Sequence, residues 1–166
     1  RGLRPRGELR IMDGAAEVIE ALHGRYALAV VTTRGRADAT AFLNQYGLAS
    51  CFGSVVTRES TWRLKPHPAP IRLAARELGV PVERCAMVGD TTVDVRAARR
   101  AGALALAVLC GFGSRDELER AGANLIVEGT AEAVSYGLRA VSGFFSDKFR
   151  KRKLFILAGY ALSNVA

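Results

Sequence analysis

The sequence predicts an α/β fold in which helices cover a parallel sheet. Three observations lead to this class: short apolar runs recur along the chain, stretches with helical periodicity separate them, and glycines follow several of those stretches. Repeated strand–helix units form parallel sheets, because each helix carries the chain back to the edge where the strands begin. A chain of 166 residues that is 49% apolar and 24% charged is typical of one globular domain and excludes a disordered or low-complexity protein.

Five strands and five helices are predicted between residues 14 and 127. Apolar runs such as YALAVV are typical of strands that are buried on both faces. The predicted strands cover 26–31, 54–57, 84–88, 103–109 and 124–127. The intervening segments follow the period of an α-helix, and most are followed by a glycine that can end one. The predicted helices cover 14–23, 36–46, 68–78, 91–101 and 114–121.

The last part of the chain differs from the rest in charge. Residues 131–166 carry six basic and two acidic residues, and five of the basic residues fall between Lys148 and Lys153. We predict three parts: a short leading segment over 1–12, the α/β core over 13–130, and a basic and apolar helical tail over 131–166. The basic cluster lacks the interleaved aromatic residues of nucleic-acid-binding motifs, so no nucleic acid partner is predicted.

The cysteine content and the first ten residues bear on the cellular compartment of the protein. Cys51, Cys85 and Cys110 are widely spaced and form no C-x-x-C pair, which argues against a disulfide framework or a zinc site. The first ten residues hold four arginines and no apolar run, so they do not resemble a secretory signal. These features predict a cytoplasmic protein. The absence of an initiating Met predicts that the chain begins inside a longer protein.

Polar residues follow three of the predicted strands, where parallel sheets place their binding sites. Thr32 and Thr33 follow the first strand, Lys65 lies in the loop after the second, and Asp90 and Asp94 follow the third. Two carboxylates four residues apart at a helix start can face one cation, and oxygen ligands favour Mg²⁺. A lysine and a hydroxyl nearby suit a phosphate group. Taken singly, these residues are also ordinary features of strand ends, solvated loops and helix N-caps.

The order of these residues resembles a known family. Thr32 after YALAVV, Lys65 in RLKPHP and the segment VGDTTVD are similar to the second, third and fourth motifs of the haloacid dehalogenase-like (HAD) phosphohydrolase superfamily. Its phosphoglycolate phosphatase-like branch is the most similar type. The resemblance covers about 13–127 and implies a Rossmann-like core in which residues 1–12 are the end of a cap domain.

The resemblance also implies an activity and a set of roles. The activity would be Mg²⁺-dependent hydrolysis of a phosphomonoester of a small metabolite. Thr32, Lys65 and Asp90 would be catalytic residues, Thr33 would join Thr32 and Lys65 in binding phosphate, and Asp90 and Asp94 would hold the metal.

The nucleophile motif of that family is missing. By the resemblance, one Asp attacks phosphorus and a second Asp two residues later acts as acid and base, both from a D-x-D-G-T segment on the central strand. This sequence has no D-x-D pair, and Asp13 is no substitute because no strand precedes it. We therefore expect a core whose first strand is missing, so that its neighbours pair directly or face a gap, and a chain that is inactive alone. The alternative is a non-catalytic module that binds phosphate and Mg²⁺.

The tail resembles a different family. Gly143, Asp147 and the basic run Arg150–Arg152 are similar in spacing to the loop between the second and third membrane helices of major facilitator transporters. Residues 135–166 would then be a truncated membrane segment in contact with a bilayer, fused to the core. The apolar run after Lys153 has 13 residues, whereas about 20 are needed to span a bilayer. A packed amphipathic helix and a membrane-surface anchor are the alternatives.

Overall fold

The computed structural model describes residue 11, residues 14–128 and the backbone of residues 155–158. The described helices are α1 (Ala15–His23), α2 (Arg36–Gln45), α3 (Ala69–Glu77), α4 (Thr92–Ala101) and α5 (Arg115–Ala121). The described strands are β1 (Ala27–Val31), β2 (Phe52–Val56), β3 (Cys85–Gly89), β4 (Leu104–Val108), β5 (Leu125–Val127) and β6 (Phe155–Ala158). Short 3₁₀ turns precede β2 and β3. Each helix and strand predicted over residues 14–127 is confirmed, with bounds that move by two residues at most.

The strands form one parallel sheet in the order β2-β1-β6-β3-β4-β5. Successive residues of a strand face opposite sides, so Val30 belongs to the apolar cluster that includes residues of α1 and α2, while Ala29 belongs to the cluster that includes residues of α3, α4 and α5. The strands β1, β3 and β4 are buried almost throughout, as their continuous apolar runs predict. The α/β class with a Rossmann-like parallel sheet is therefore confirmed.

Helix α4 matters most for the site, because it starts where β3 ends. Thr91 is its N-cap and accepts a hydrogen bond from the backbone N–H of Asp94. Gly102 ends it in the left-handed conformation, with φ of 91°. Its inner face consists of small residues, and Ala97 and Ala98 are fully buried against the sheet. The helix therefore lies close to the sheet and fixes its first turn at the carboxyl end of β3.

The middle of the sheet differs from the sequence expectation. We expected a missing strand between β1 and β3, and a helical tail over 131–166. The structure instead places the tail residues Phe155–Ala158 as β6 between β1 and β3, paired in parallel with both. Two reasons favour a strand at this point: aromatic and β-branched residues suit a sheet, and the buried backbone groups of β1 and β3 need hydrogen-bond partners.

Several sequence predictions lie outside the described residues. These are the cap-derived segment 1–12 (apart from Ile11) and the tail on either side of β6, which includes the segment that resembles a transporter loop. The division into three parts therefore stays a prediction. Within the described residues, no helix combines the length and the apolarity that a membrane crossing requires.

Candidate functional site

A buried ion pair joins the loop after β2 to the start of α4. Lys65 Nζ donates to Asp94 Oδ1 at 2.6 Å and to the backbone carbonyl oxygen of Val31 at 3.0 Å. The side chains of Lys65 and Asp94 are only 7% and 6% exposed. Lys65 is followed by a cis peptide bond to Pro66. The pair therefore connects the carboxyl ends of β1 and β3 through one cationic side chain.

Both carboxylate oxygens of Asp94 have hydrogen-bond donors. Oδ1 accepts from Lys65, and Oδ2 accepts from the hydroxyl of Thr91 at 2.7 Å. The same hydroxyl oxygen accepts the Asp94 N–H at 3.3 Å, so Thr91 and Asp94 bind one another in both directions. This reciprocal capping orients the Asp94 carboxylate toward Lys65 and uses much of its hydrogen-bonding capacity.

Asp90 lies at the same edge and is 2% exposed. Its Oδ2 accepts a hydrogen bond from the backbone N–H of Phe112 at 3.1 Å. Burial raises the pKa of the Asp90 carboxyl above its ordinary range; the Phe112 N–H opposes that shift, and the negative charge of Asp94 adds to it. The positive charge of Lys65 also favours the ionised form, and a cation beside the Asp90 carboxylate would favour it further.

Three glycines permit this close arrangement of carboxylates, and a Cβ atom on one of them, Gly111, would meet the Asp90 carboxylate. A Cβ atom on Gly89 would lie 2.7 Å from Cγ of Asp94, and one on Gly113 would lie 2.6 Å from the backbone oxygen of Asp90. Gly113 also donates its N–H to that oxygen at 2.9 Å. Any larger residue would push the strand end or the loop after β4 away from the acids.

The threonines after β1 differ in their surroundings. Thr32 is 7% exposed, its N–H donates to the backbone oxygen of Val56, and its hydroxyl oxygen accepts the N–H of Arg34 at 3.1 Å. The hydroxyl proton of Thr32 can still be donated to a ligand. Thr33 is exposed, and no hydrogen bond within the described residues links it to Lys65 or to the acids. The structure thus brings Thr32 beside the ion pair and leaves Thr33 at the rim.

Asp90 and Asp94 suit a Mg²⁺ ion that keeps water ligands better than they suit a metal site made of protein ligands alone. In the part of the chain that the structure describes, no three Asp, Glu, His or Cys side chains converge as a metal-binding group. Mg²⁺ commonly takes one or two carboxylates and completes its shell with water and phosphate oxygens. Asp90 has an oxygen that fits this role. Asp94 would become a second ligand, as the sequence predicted, by exchanging its bond with Lys65 or Thr91.

Sequence reasoning missed two contributors. Thr91 was read only as the start of a helix, although its hydroxyl holds Asp94. The loop after β4 was not considered, although Phe112 and Gly113 donate backbone N–H groups to Asp90. A signal for the loop was present: the segment Gly111–Gly113 comes shortly after a buried strand, and glycines there suggest a close backbone approach.

Comparisons with known sequences place these residues in context. The model of the haloacid dehalogenase-like hydrolases matches residues 3–102, which ends ahead of the transporter-like segment. A probable phosphatase, IndB, from Dickeya dadantii is 38% identical over 125 residues, which are 75% of this chain and 54% of the relative. A phosphoglycolate phosphatase from Neisseria meningitidis is 41% identical over 86 residues, which are 52% of this chain and 37% of the relative. The chain thus spans about half the length of these curated relatives or less.

Solved structures share the fold. A HAD family hydrolase from Deinococcus radiodurans R1, crystallised with bound phosphate and sodium, has a TM-score of 0.67 and is 27% identical in sequence. The alignment covers 78% of this chain and 59% of that one. The similarity therefore includes most of the α/β core described above.

Proposed function

Because the chain belongs to the haloacid dehalogenase-like hydrolase family, we propose that its site is the phosphate- and Mg²⁺-binding part of a phosphomonoester hydrolase. The substrate class would be a small phosphorylated metabolite. The observation that carries the proposal is the buried Lys65–Asp94 pair beside the nearly buried carboxylate of Asp90, whose Oδ2 accepts the Phe112 N–H. Buried charges that converge at one strand edge are costly unless a ligand or partner uses them.

Lys65 and Thr32 would bind the phosphate group. Lys65 is held at the strand edge by the Val31 carbonyl oxygen and Asp94, so its charge is fixed in place before a ligand arrives. The Thr32 hydroxyl would donate its proton to a second phosphate oxygen. Thr33 would add a contact at the exposed rim. The family position of Lys65 and Thr32 supports these roles.

Asp90 would be the direct ligand of Mg²⁺, with Asp94 beside it as the second predicted ligand. When bound, Mg²⁺ would neutralise charge on Asp90 and on the phosphate oxygens. Asp94 has a further part in this proposal: through its bond with Lys65 it keeps the ammonium group directed at the site. Phe112 and Gly113 would hold Asp90 in register with that group.

We propose further that this chain binds phosphate but does not hydrolyse phosphate esters by itself. The sequence has no D-x-D pair, and the two acids at the described site are already held by Lys65, Thr91 and Phe112. Within the part of the chain that the structure describes, these two acids are therefore not a free pair that could serve as nucleophile and acid. A longer protein that supplies such a pair at the same strand edge would be the active enzyme.

Calorimetric titration of phosphate and of 2-phosphoglycolate, with and without Mg²⁺, tests the binding proposal. 2-Phosphoglycolate is the first ester to try because a relative is a phosphoglycolate phosphatase. Trp62, the single Trp of the sequence, is exposed three residues before Lys65 and gives a fluorescence signal for the same titration. We expect Mg²⁺-dependent binding that Asp90→Asn and Lys65→Met each weaken at least about tenfold, the equivalent of ~1.4 kcal/mol.

The matched control is Arg76→Met, which removes an exposed cation from the last turn of α3. Circular dichroism establishes that each variant is folded. Binding that is unchanged in Lys65→Met, or lost equally in Arg76→Met, would contradict the assignment. Turnover of p-nitrophenyl phosphate that Asp90→Asn abolishes would contradict the expected lack of activity.

A further inference from the structure

The start of α2 is capped by a residue from another part of the chain. Its N-cap is Gly35, which has no side chain to accept a hydrogen bond from the first turn. Glu59, in the loop after β2, supplies the acceptor instead, because its Oε2 accepts the backbone N–H of Arg36 at 3.1 Å. A carboxylate at this end also compensates the positive end of the helix dipole. Glu59 therefore takes the place of a local N-cap from 23 residues farther along the chain.

This bond is one of several between two segments that carry phosphate-binding candidates. The first segment, residues 32–36, begins with Thr32 and leads into α2, and the second, residues 57–65, ends with Lys65. Two further hydrogen bonds join the segments, and together with the Glu59–Arg36 bond they are called the loop clasp: the N–H of Arg58 donates to the backbone oxygen of Arg34 at 3.1 Å, and the Arg36 guanidinium donates to Ser60 Oγ at 3.2 Å.

The Glu59 carboxylate fits closely against the first segment. A Cβ atom on the buried Gly35 would lie 3.0 Å from Glu59 Oε1, closer than ordinary van der Waals contact. The same oxygen accepts a hydrogen bond from Arg58 Nε at 3.2 Å. Hydrogen bonding, chiefly with the Thr57 side chain, lowers the pKa of the Glu59 carboxyl below its ordinary range, so the group is ionised at neutral pH. Donors on both segments therefore hold one charged carboxylate.

We propose that Glu59 is a positioning residue, which through the loop clasp fixes Thr32 relative to Lys65. The Thr32 hydroxyl oxygen accepts the N–H of Arg34, so the hydroxyl proton is directed to a ligand only while this turn is kept. Lys65 is held from the other side by Asp94. Without Glu59, the Thr32 segment would shift while Lys65 stays in place. The proposal rests on the proposed function, since the relative placement of the two groups matters to a ligand that both bind.

Calorimetric titration of inorganic phosphate, in Mg²⁺ and on the full chain, tests the role of Glu59. Glu59→Ala removes the acceptor and should weaken binding about tenfold, which corresponds to one lost hydrogen bond to a charged group. Glu59→Gln keeps one oxygen for the Arg36 N–H and should retain most of the affinity. In a Thr32→Val background, Glu59→Ala should have less than about a twofold further effect, because the hydroxyl that it positions is gone.

Glu119→Ala is the matched control, because Glu119 is also an exposed glutamate paired with an arginine. It should bind phosphate as the wild type does, and circular dichroism establishes that every variant is folded. Amide hydrogen exchange followed by NMR separates a local effect from general damage. In Glu59→Ala the Arg34 amide should exchange at least about tenfold faster, whereas the Gly113 amide, which belongs to the loop after β4, should be unchanged.

Three results would each overturn the positioning role: equal phosphate affinity in wild type and Glu59→Ala, equal losses in Glu59→Ala and Glu119→Ala, or a full tenfold loss in the Thr32→Val background. A wild-type chain that binds no phosphate would instead contradict the proposed function. The exchange rates would then decide about Glu59 alone. A faster Arg34 amide in Glu59→Ala would support the loop clasp, and an unchanged one would overturn it.

Discussion

Two groups of ion pairs in this molecule use similar side chains in different surroundings. At the site, Lys65 and Asp94 are 2.6 Å apart, and both side chains are more than nine-tenths buried. On α5, Arg115 lies 3.9 Å from Glu119 and 3.1 Å from Glu128, and its side chain is 45% exposed. The buried pair has additional hydrogen bonds from Lys65 to Val31 and from Thr91 to Asp94.

The difference shows why only one of the two groups is a candidate site. An exposed pair is screened by water and is worth about 0–1 kcal/mol, whichever residues form it. A buried pair must be complete, because removing one member leaves a charge without water or partner. The carboxyl edge of the sheet therefore holds charge that only an incoming ligand can rearrange, whereas the charge on α5 can be changed freely.

The largest effect is expected for Asp94→Ala. It leaves Lys65 buried without its counter-charge and removes the carboxylate that accepts the hydrogen bond of the Thr91 hydroxyl. The free energy of unfolding should therefore fall by about 3–5 kcal/mol. Urea denaturation followed by circular dichroism measures it. The control is the double variant Lys65→Met with Asp94→Leu, which removes both charges and should cost clearly less. A loss below ~1 kcal/mol for Asp94→Ala would mean that the buried pair contributes no more to stability than the exposed pairs of α5.

Gly89→Ala tests how tightly the buried group is packed. The added methyl would meet the Asp94 side chain, so we expect a loss of about 1–3 kcal/mol in the free energy of unfolding and weaker phosphate binding. Gly24→Ala is the matched control: Gly24 has φ of −70° and no atom within 4 Å of the added methyl. Its stability should be unchanged or slightly higher. Similar losses in the two variants would argue against close packing at Gly89.

Asp90→Asn should stabilise the metal-free protein while it weakens Mg²⁺ binding. Because burial raises the pKa of Asp90 in the folded state, folding favours the protonated form, and the ionised form costs stability at neutral pH. Asn removes that cost, with an expected gain on the order of 1 kcal/mol at pH 7.

The gain from Asp90→Asn should shrink as pH falls through the folded and then the unfolded pKa, and should vanish below about pH 4, where Asp90 is protonated in both states. Thermal unfolding in EDTA between pH 3.5 and 8 measures this dependence. The exposed Asp116 on α5 provides the control, since Asp116→Asn should give no gain. A gain of equal size at pH 3.5 and pH 7 would exclude ionisation of Asp90 as the cause.

The smallest effect is expected for Arg115→Ala. Both partners of Arg115 are exposed, so the loss should be about 0–0.5 kcal/mol and should disappear at 1 M salt, which screens such pairs. The midpoint of urea denaturation at low and high salt gives the comparison. A loss above ~1.5 kcal/mol would mean that exposure is not what separates the α5 pairs from Lys65–Asp94.

Much of the core could be predicted from the sequence because its signals are local. The apolar run ending at Val31 specifies a strand and the helical period of residues 91–101 specifies α4, in each case through residues that are neighbours along the chain or around a helix turn. The same holds for the positions of Thr32 and Asp90, since a polar residue directly after a buried strand must lie at the sheet edge. These local patterns also carry the family resemblance, which the matching family model confirms.

Contacts between residues that are distant along the chain are not marked by any local sequence pattern. The hydroxyl of Thr91 holds Asp94 only because α4 begins there, and the N–H of Phe112 reaches Asp90 only because β4 lies beside β3. The sequence by itself determined the α/β class, the order of the elements and which polar residues stand at strand ends. Only the tertiary structure decided that a segment beyond residue 154 completes the sheet, because the hydrogen bonds that β1 and β3 require can be made by any apolar strand of suitable length.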